Sequence, residues 1–176
     1  MHLHSKNSWV KKMINEVIQP DIPYILSKTA QTAYTKIKTL IKKIYSLFKN
    51  NKKEDNIKDE FYNSYIDFAR KLDVDGFKEE SYDYMDICAM YYDLMDRPKE
   101  LINHENFFND LFMAFDNLLL AKIDNPSQYE TKYNEFLIYS GKMQQYYYTN
   151  VAVPSEHYDE KVLTEISNHL LGGLNE

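Results

Sequence analysis

Apolar residues recur along this chain at alternating steps of four and three, the spacing that gathers side chains onto one face of a helix. The most regular run is Leu26, Ala30, Ala33, Ile37, Leu40, Ile44 and Leu47. It is a heptad seam, widened by Tyr34, Ile41 and Phe48, with Lys36, Lys38, Lys42, Lys43 and Lys49 off that face. The seam predicts a long helix of roughly 25 residues, or about 37 Å at 1.5 Å per residue. A shorter helix is expected before it, from Trp9 to Gln19, with Ser8 as N-cap and Pro20 as its stop.

The same period continues downstream. Ile57, Phe61, Tyr65, Phe68, Ala69 and Leu72 mark a helix that starts at Asn56 and ends near Gly76, a residue suited to a left-handed terminus. Phe77, Ser81, Tyr84, Cys88, Tyr91 and Met95 form the next seam, and Arg97-Pro98 interrupts it. Asn103 is the expected cap of a helix whose Phe107, Phe108, Leu111, Phe112, Phe115, Leu118, Leu119 and Leu120 make a broad apolar face, the mark of deep burial. After Asn125-Pro126-Ser127 the pattern restarts through Tyr129, Tyr133, Phe136, Ser140, Met143 and Tyr147. Val151 to Pro154 reads as extended, and a last helix runs from Ser155 through Val162, Leu163, Ile166 and Leu170 to Gly172-Gly173. No stretch alternates with period two. The expectation is an all-α bundle of about seven helices, packed up-and-down, with one long heptad-patterned helix near the N-terminus.

Charge adds a division that periodicity does not show. Residues 1–58 hold twelve lysines, no arginine and four acids, a net of +8; the remainder holds nine bases and 23 acids, a net of −14. Asn50 to Asn56 is polar, aperiodic and lies where the sign changes. It is the expected boundary between a basic helical arm, 1–52, and an acidic tyrosine-rich bundle, 53–176, unless the two form one continuous domain. The single Cys88 fits a reducing, cytoplasmic setting, and no apolar run approaches the length of a membrane span. The N-terminus lacks the uninterrupted apolar core of a signal peptide, because Lys11, Lys12, Asn15 and Glu16 break it.

Few residues offer chemistry. Arg97 and His104 resemble the Arg-x(4–6)-His motif of small all-α ribonucleases of the HEPN class. That resemblance implies that Arg97 would stabilise charge on the scissile phosphate while His104 handled protons. Pro98 departs from the polar residue usual at its position, and the resemblance extends no further. The plain alternative makes Arg97 a helix-end charge and His104 a first-turn surface residue. Metal ligation has less behind it: Glu100/His104 and Glu165/His169 are i, i+4 pairs without the further ligands of a di-iron or zinc site. Asp73-Val74-Asp75-Gly76 lacks the third oxygen ligand and closing Glu of a calcium loop and reads as a helix-ending turn. Cys88 occupies a seam position and reads as a buried, inert thiol. No metal and no cofactor is expected.

The tyrosines say more. There are 16 of them, clustered at Tyr82, Tyr84, Tyr91 and Tyr92 and at Tyr146, Tyr147 and Tyr148. Between Asp73 and Asp96 eight acids face one lysine, Lys78. Tyrosine supplies contact area at low entropy cost and carboxylates supply steering, so Tyr82, Asp83, Asp86, Tyr92, Asp93, Tyr146 and Tyr148 are the candidate partner-binding residues. The weighed alternatives are a merely solvated acidic face and a face covered by the basic arm of the same or another copy. For the lysine-rich helix, helix packing ranks first, with a possible homo-oligomer through the seam. An anionic membrane surface contacted by residues 24–49 ranks second. Nucleic acid ranks last, since the acidic body repels phosphates and the arm has no arginine. The expected function is therefore non-catalytic: binding a basic macromolecule, most plainly a protein, as an adaptor, inhibitor or immunity-type protein does. A small ribonuclease and a peripheral membrane protein are the alternatives.

Overall fold

The computed structural model describes residues 24–152. Among them there are six α-helices and no strand: α1 (Lys28–Lys49), α2 (Ile57–Val74), α3 (Lys78–Leu94), α4 (Pro98–Asn103), α5 (Glu105–Asp124) and α6 (Tyr129–Tyr147). A 3-10 turn (Pro126–Gln128) precedes α6 and a π-helical turn (Tyr148–Ala152) follows it. The all-helical fold expected from the period is thus present. The helices expected at 9–19 and 155–170 lie outside the described residues. The chain divides into two compact units, one up to Ser140 and one from Gly141 on.

Local chemistry sets the helix ends. Helix α1 begins at Lys28 because the Ser27 hydroxyl accepts the Ala30 N–H at 3.2 Å, so Leu26, counted in the seam, sits just outside the helix and is half-buried. It stops where Asn51 turns left-handed (φ 54°) and the Lys52 N–H reaches back to the Leu47 carbonyl at 2.8 Å. Helix α2 ends the same way. Gly76 has φ 94°, its N–H bonds the Asp73 carbonyl at 3.0 Å, and the Phe77 N–H bonds the Leu72 carbonyl at 2.9 Å. The Asp73–Gly76 segment is therefore a helix terminus, and the Asp75 carboxylate accepts the Ser27 N–H at 2.8 Å.

Three expectations at element ends need correction. Pro98 does not merely interrupt the chain: it opens the short helix α4, since a proline at the first helical position gives up no bond and arrives with its φ preset. Asn103 closes α4 instead of capping the next helix, and His104 holds the N-cap position of α5 without a side-chain bond. Val151 and Ala152 are not extended but belong to the π-helical turn; Val151 is buried there, and burial overrides its extended preference.

Packing follows the seams. Ala30, Ala33, Ile37, Leu40 and Ile44 are buried and Leu47 is half-buried, as the heptad spacing requires. On α2 all six expected positions are buried, and on α3 so are Phe77, Ser81, Tyr84, Cys88, Tyr91 and Met95. Helix α1 packs on α2, α2 on α3, α3 on α4 and α4 on α5, while α1 also meets α4. Aromatic rings tie these pairs into one core. Tyr34 of α1 stacks on Phe68 of α2 at 4.4 Å between centroids, and Tyr84 of α3 meets Phe68 at 5.0 Å and Phe115 of α5 at 4.8 Å. Tyr91 of α3 lies 5.9 Å from Tyr45 of α1, 5.0 Å from Phe61 and 5.1 Å from Phe108. Each such pair contributes about 0.5–1.5 kcal/mol beyond its buried area. Tyr45, Tyr65, Tyr84 and Tyr91 are thus core residues, and burial pushes the Tyr65 hydroxyl up to about 12. The broad face expected on α5 narrows at its end: Leu118 and Leu119 are buried, while Leu120 is 55% exposed.

Candidate functional site: the outward face of the third helix

Because α3 turns Tyr84, Ile87, Cys88 and Tyr91 into the core, the opposite side of the helix faces out. Glu79, Tyr82, Asp86 and Asp93 stand on that exposed stripe, with Asp96 just past the helix end. Tyr82 is 53% exposed. Asp83 and Tyr92 flank the stripe and are half-buried. Tyr146 (half-buried) and Tyr148 (exposed) belong to the second compact unit.

The flanking residues are already engaged. Lys58 at the start of α2 lays its ammonium 4.1 Å over the Tyr92 ring and 2.9 Å from Asp96 Oδ1. The Tyr133 hydroxyl donates to Asp83 Oδ2 at 2.9 Å. Desolvation raises the Asp83 carboxyl above its ordinary value even though the Tyr133 bond pulls the other way, and desolvation raises Asp86 as well. Both carboxylates therefore sit in surroundings that would welcome a cation.

Glu80 is the residue the period should have revealed. It lies four before Tyr84 and seven before Ile87, on the core stripe, and it is 0% exposed. Lys122 of α5 donates to both of its oxygens, at 3.0 and 2.8 Å, and the Tyr129 hydroxyl donates to Oε2 at 2.8 Å. The Lys122 ammonium also lies 4.1 Å over Tyr24. Lys122 falls four after Leu118 and seven after Phe115, likewise on a core stripe, so two opposite charges at seam-facing positions were the available signal. The cluster is saturated, and nothing about it invites substrate.

Arg97 and His104, the pair singled out for nuclease chemistry, each contact Glu100. Arg97 Nη1 lies 3.6 Å from Glu100 Oε1, and His104 Nδ1 lies 2.7 Å from the Glu100 backbone oxygen. A carboxylate beside the arginine would repel a scissile phosphate. Cys88 is buried in the core, and burial pushes its thiol well up, which keeps it protonated and unreactive. Among the described residues no group of three or more His, Cys, Asp or Glu side chains could hold a metal, and no helix is long and apolar enough to cross a membrane. Two grooves among the described residues are open to solvent: one is lined by Ile41, Lys42, Tyr45, Lys49 and Glu105 among others, the other by Glu79, Tyr129, Glu130, Tyr133 and Asn134. Neither encloses a small molecule in the manner of a substrate cavity.

Outward from α1 the chemistry is the reverse. Its exposed positions include Lys28, Lys36, Lys38, Lys42, Lys43 and Lys49 and no acid, while its apolar side is spent in the core. Three of these lysines pair with acids elsewhere in the chain: Lys38 with Asp116, Lys43 with Glu54 and Lys49 with Glu105. Comparison of this chain with protein-family models, with curated proteins and with solved structures returns no match.

Proposed function

We propose that this protein is a non-catalytic binding protein whose α3 face, Glu79, Tyr82, Asp86 and Asp93, engages a basic surface of a macromolecular partner, most simply a protein. The supporting observation is that stripe itself: exposed acids at heptad spacing around a half-exposed tyrosine, on a helix whose other side is anchored in an aromatic core. Such a face is rigid, because the core fixes the helix, so little ordering entropy is lost on contact. Carboxylates steer a basic partner and Tyr82 gives it something to lie on. Adaptors, inhibitors and immunity-type proteins in the cytoplasm work through faces of this kind.

The ribonuclease alternative has less support, since a carboxylate, Glu100, already lies beside the Arg97 guanidinium. The membrane alternative through residues 24–49 keeps its lysines but not its apolar face, which is packed inside the bundle. Affinity capture from the native host, run in parallel with wild type and a Glu79→Lys/Asp86→Lys variant, tests the proposal. A partner held by the wild type and released by the variant is expected. A partner held equally by both would overturn the assignment of the face.

A further inference from the structure

The chain seats a lysine on a tyrosine beside a carboxylate three times. Lys58 lies 4.1 Å over Tyr92 and 2.9 Å from Asp96. Lys38 lies 4.1 Å over Tyr34 and 3.1 Å from Asp116. Lys122 lies 4.1 Å over Tyr24 and 2.8 Å from Glu80. The ring face attracts the ammonium through its quadrupole, the aliphatic stem covers the ring, and the carboxylate takes the charge. Of the three, Tyr92 lies in the last turn of α3 and Asp96 two residues past its end, four positions on, and one Lys58 ammonium reaches both.

Ten residues upstream the same spacing recurs as Tyr82 and Asp86, with Glu79 one turn before them. Tyr82 is exposed, Asp86 is exposed, and among the described residues no lysine reaches either. Lysines of matching layout exist on α1, where Lys28, Lys36 and Lys42 pair with no acid among the described residues. Lys28 and Lys42 are two heptads apart, as are Glu79 and Asp93, so both rows span about 21 Å at 1.5 Å per residue. Lys36 and Lys42 stand on the outward side of α1, away from the core it shares with α3. Tyr34 of α1 meets Tyr84 of α3 at 6.1 Å, and Tyr45 meets Tyr91 at 5.9 Å, across the core. The two helices therefore face each other inward, and their outward sides point in opposite directions.

We propose that Tyr82 and Asp86 form a seat for a lysine ammonium, and that the occupant is a lysine on α1 of a second copy of this chain. The claim rests on the α3 face being a binding surface, and it names the partner. Because donor and acceptor faces lie on opposite sides of one molecule, the contact is head-to-tail and propagates beyond a pair unless the rotation closes a ring. It is also weak. Exposed ion pairs contribute about 0–1 kcal/mol each, and the net charge of −6 opposes approach at long range, so association is confined to high protein concentration and moderate salt.

Sedimentation equilibrium of the full chain tests this. At about 0.1 M salt, where the Debye length is about 10 Å, the weight-average mass is expected to rise above 21.0 kDa with concentration. At about 0.5 M salt, where that length is shorter, it is expected to return to the single-chain value. A Glu79→Lys/Asp86→Lys variant and a Lys36→Glu/Lys42→Glu variant should each associate at least tenfold more weakly, with unchanged thermal melts. An equimolar mixture of the two restores opposite charges at every contact and should recover the wild-type behaviour. A wild type that stays at one chain's mass, or a mixture no better than its parts, overturns the proposal. If self-association is absent while the acid-reversed variant still loses a captured partner, only the second-copy occupant falls. If that variant changes neither, the binding face falls with it.

Discussion

Helices α1 and α3 bury four-three seams against the same aromatic core, yet the residues between the seam positions are lysine, threonine and glutamine on α1 and aspartate, glutamate and tyrosine on α3. Their inward sides differ as well. Helix α1 buries alanine, isoleucine, leucine and one tyrosine, Tyr45, whereas α3 brings Glu80 and Ser81 into the core along with Tyr84 and Tyr91. The seam decides how deep a helix sits, and the intervening residues decide what it shows to solvent. A polar residue that strays onto the seam commits the fold to a specific partner, because a buried carboxylate without a counter-ion is costly.

The largest effect should come from a charge placed on the buried side of α1, which carries no charged residue. Ile37 is 0% exposed. Ile37→Asp is expected to destabilise the fold by about 5 kcal/mol, from an unpaired buried charge and a lost aliphatic side chain. Urea denaturation measures it, and a variant with wild-type midpoint would mean that α1 is not part of the core. Next comes α3: Lys122→Met should leave Glu80, 0% exposed, without its ammonium and cost about 3 kcal/mol. The double variant Glu80→Leu/Lys122→Met should recover most of that loss, since an apolar pair of similar volume removes the need for compensation. Failure to recover would show that the ion pair stabilises α3 by more than neutrality.

A smaller effect separates the outward faces by pH. Asp83 and Asp86 titrate above their ordinary value when folded, chiefly through desolvation, so protonation favours the folded state. Their contribution to stability is present at acid pH and is lost as pH rises through the folded value. Thermal melts from neutral pH down to the acid range should therefore show a favourable component that Asp83→Asn reduces; an identical pH profile in the variant would remove Asp83 from the account. The smallest effect belongs to the α1 surface. Lys36→Glu, at an exposed position with no acid partner, should change stability by no more than about 0.5 kcal/mol. A larger loss would place that lysine in a contact within the chain.

Much of the architecture was legible because it is written locally. The seam through Phe77, Tyr84, Cys88 and Tyr91 predicts burial without reference to anything more than a few turns away, and the left-handed turn at Gly76 needs only the glycine and its neighbours. The short helix α4 was missed because Pro98 reads as a break when it is in fact a permitted first residue. The tyrosines were legible only in part. Tyr82 stands on the surface and Tyr65, Tyr84 and Tyr91 are buried as their seams predict, but Tyr45, outside the expected seam, serves the core as well.

By itself, then, the sequence determined the long helices among the described residues, the seams they bury, and the opposite charge of the sides that α1 and α3 present. Only the tertiary structure decided that Glu80 is neutralised by Lys122, 42 positions away, and by Tyr129, 49 positions away. It alone decided that Lys58 covers Tyr92 while no lysine among the described residues lies on Tyr82. Periodicity is fixed by backbone geometry over a few turns, and a short span of sequence encodes it. The choice of a counter-ion depends on which distant helix arrives alongside, and no local pattern carries that information.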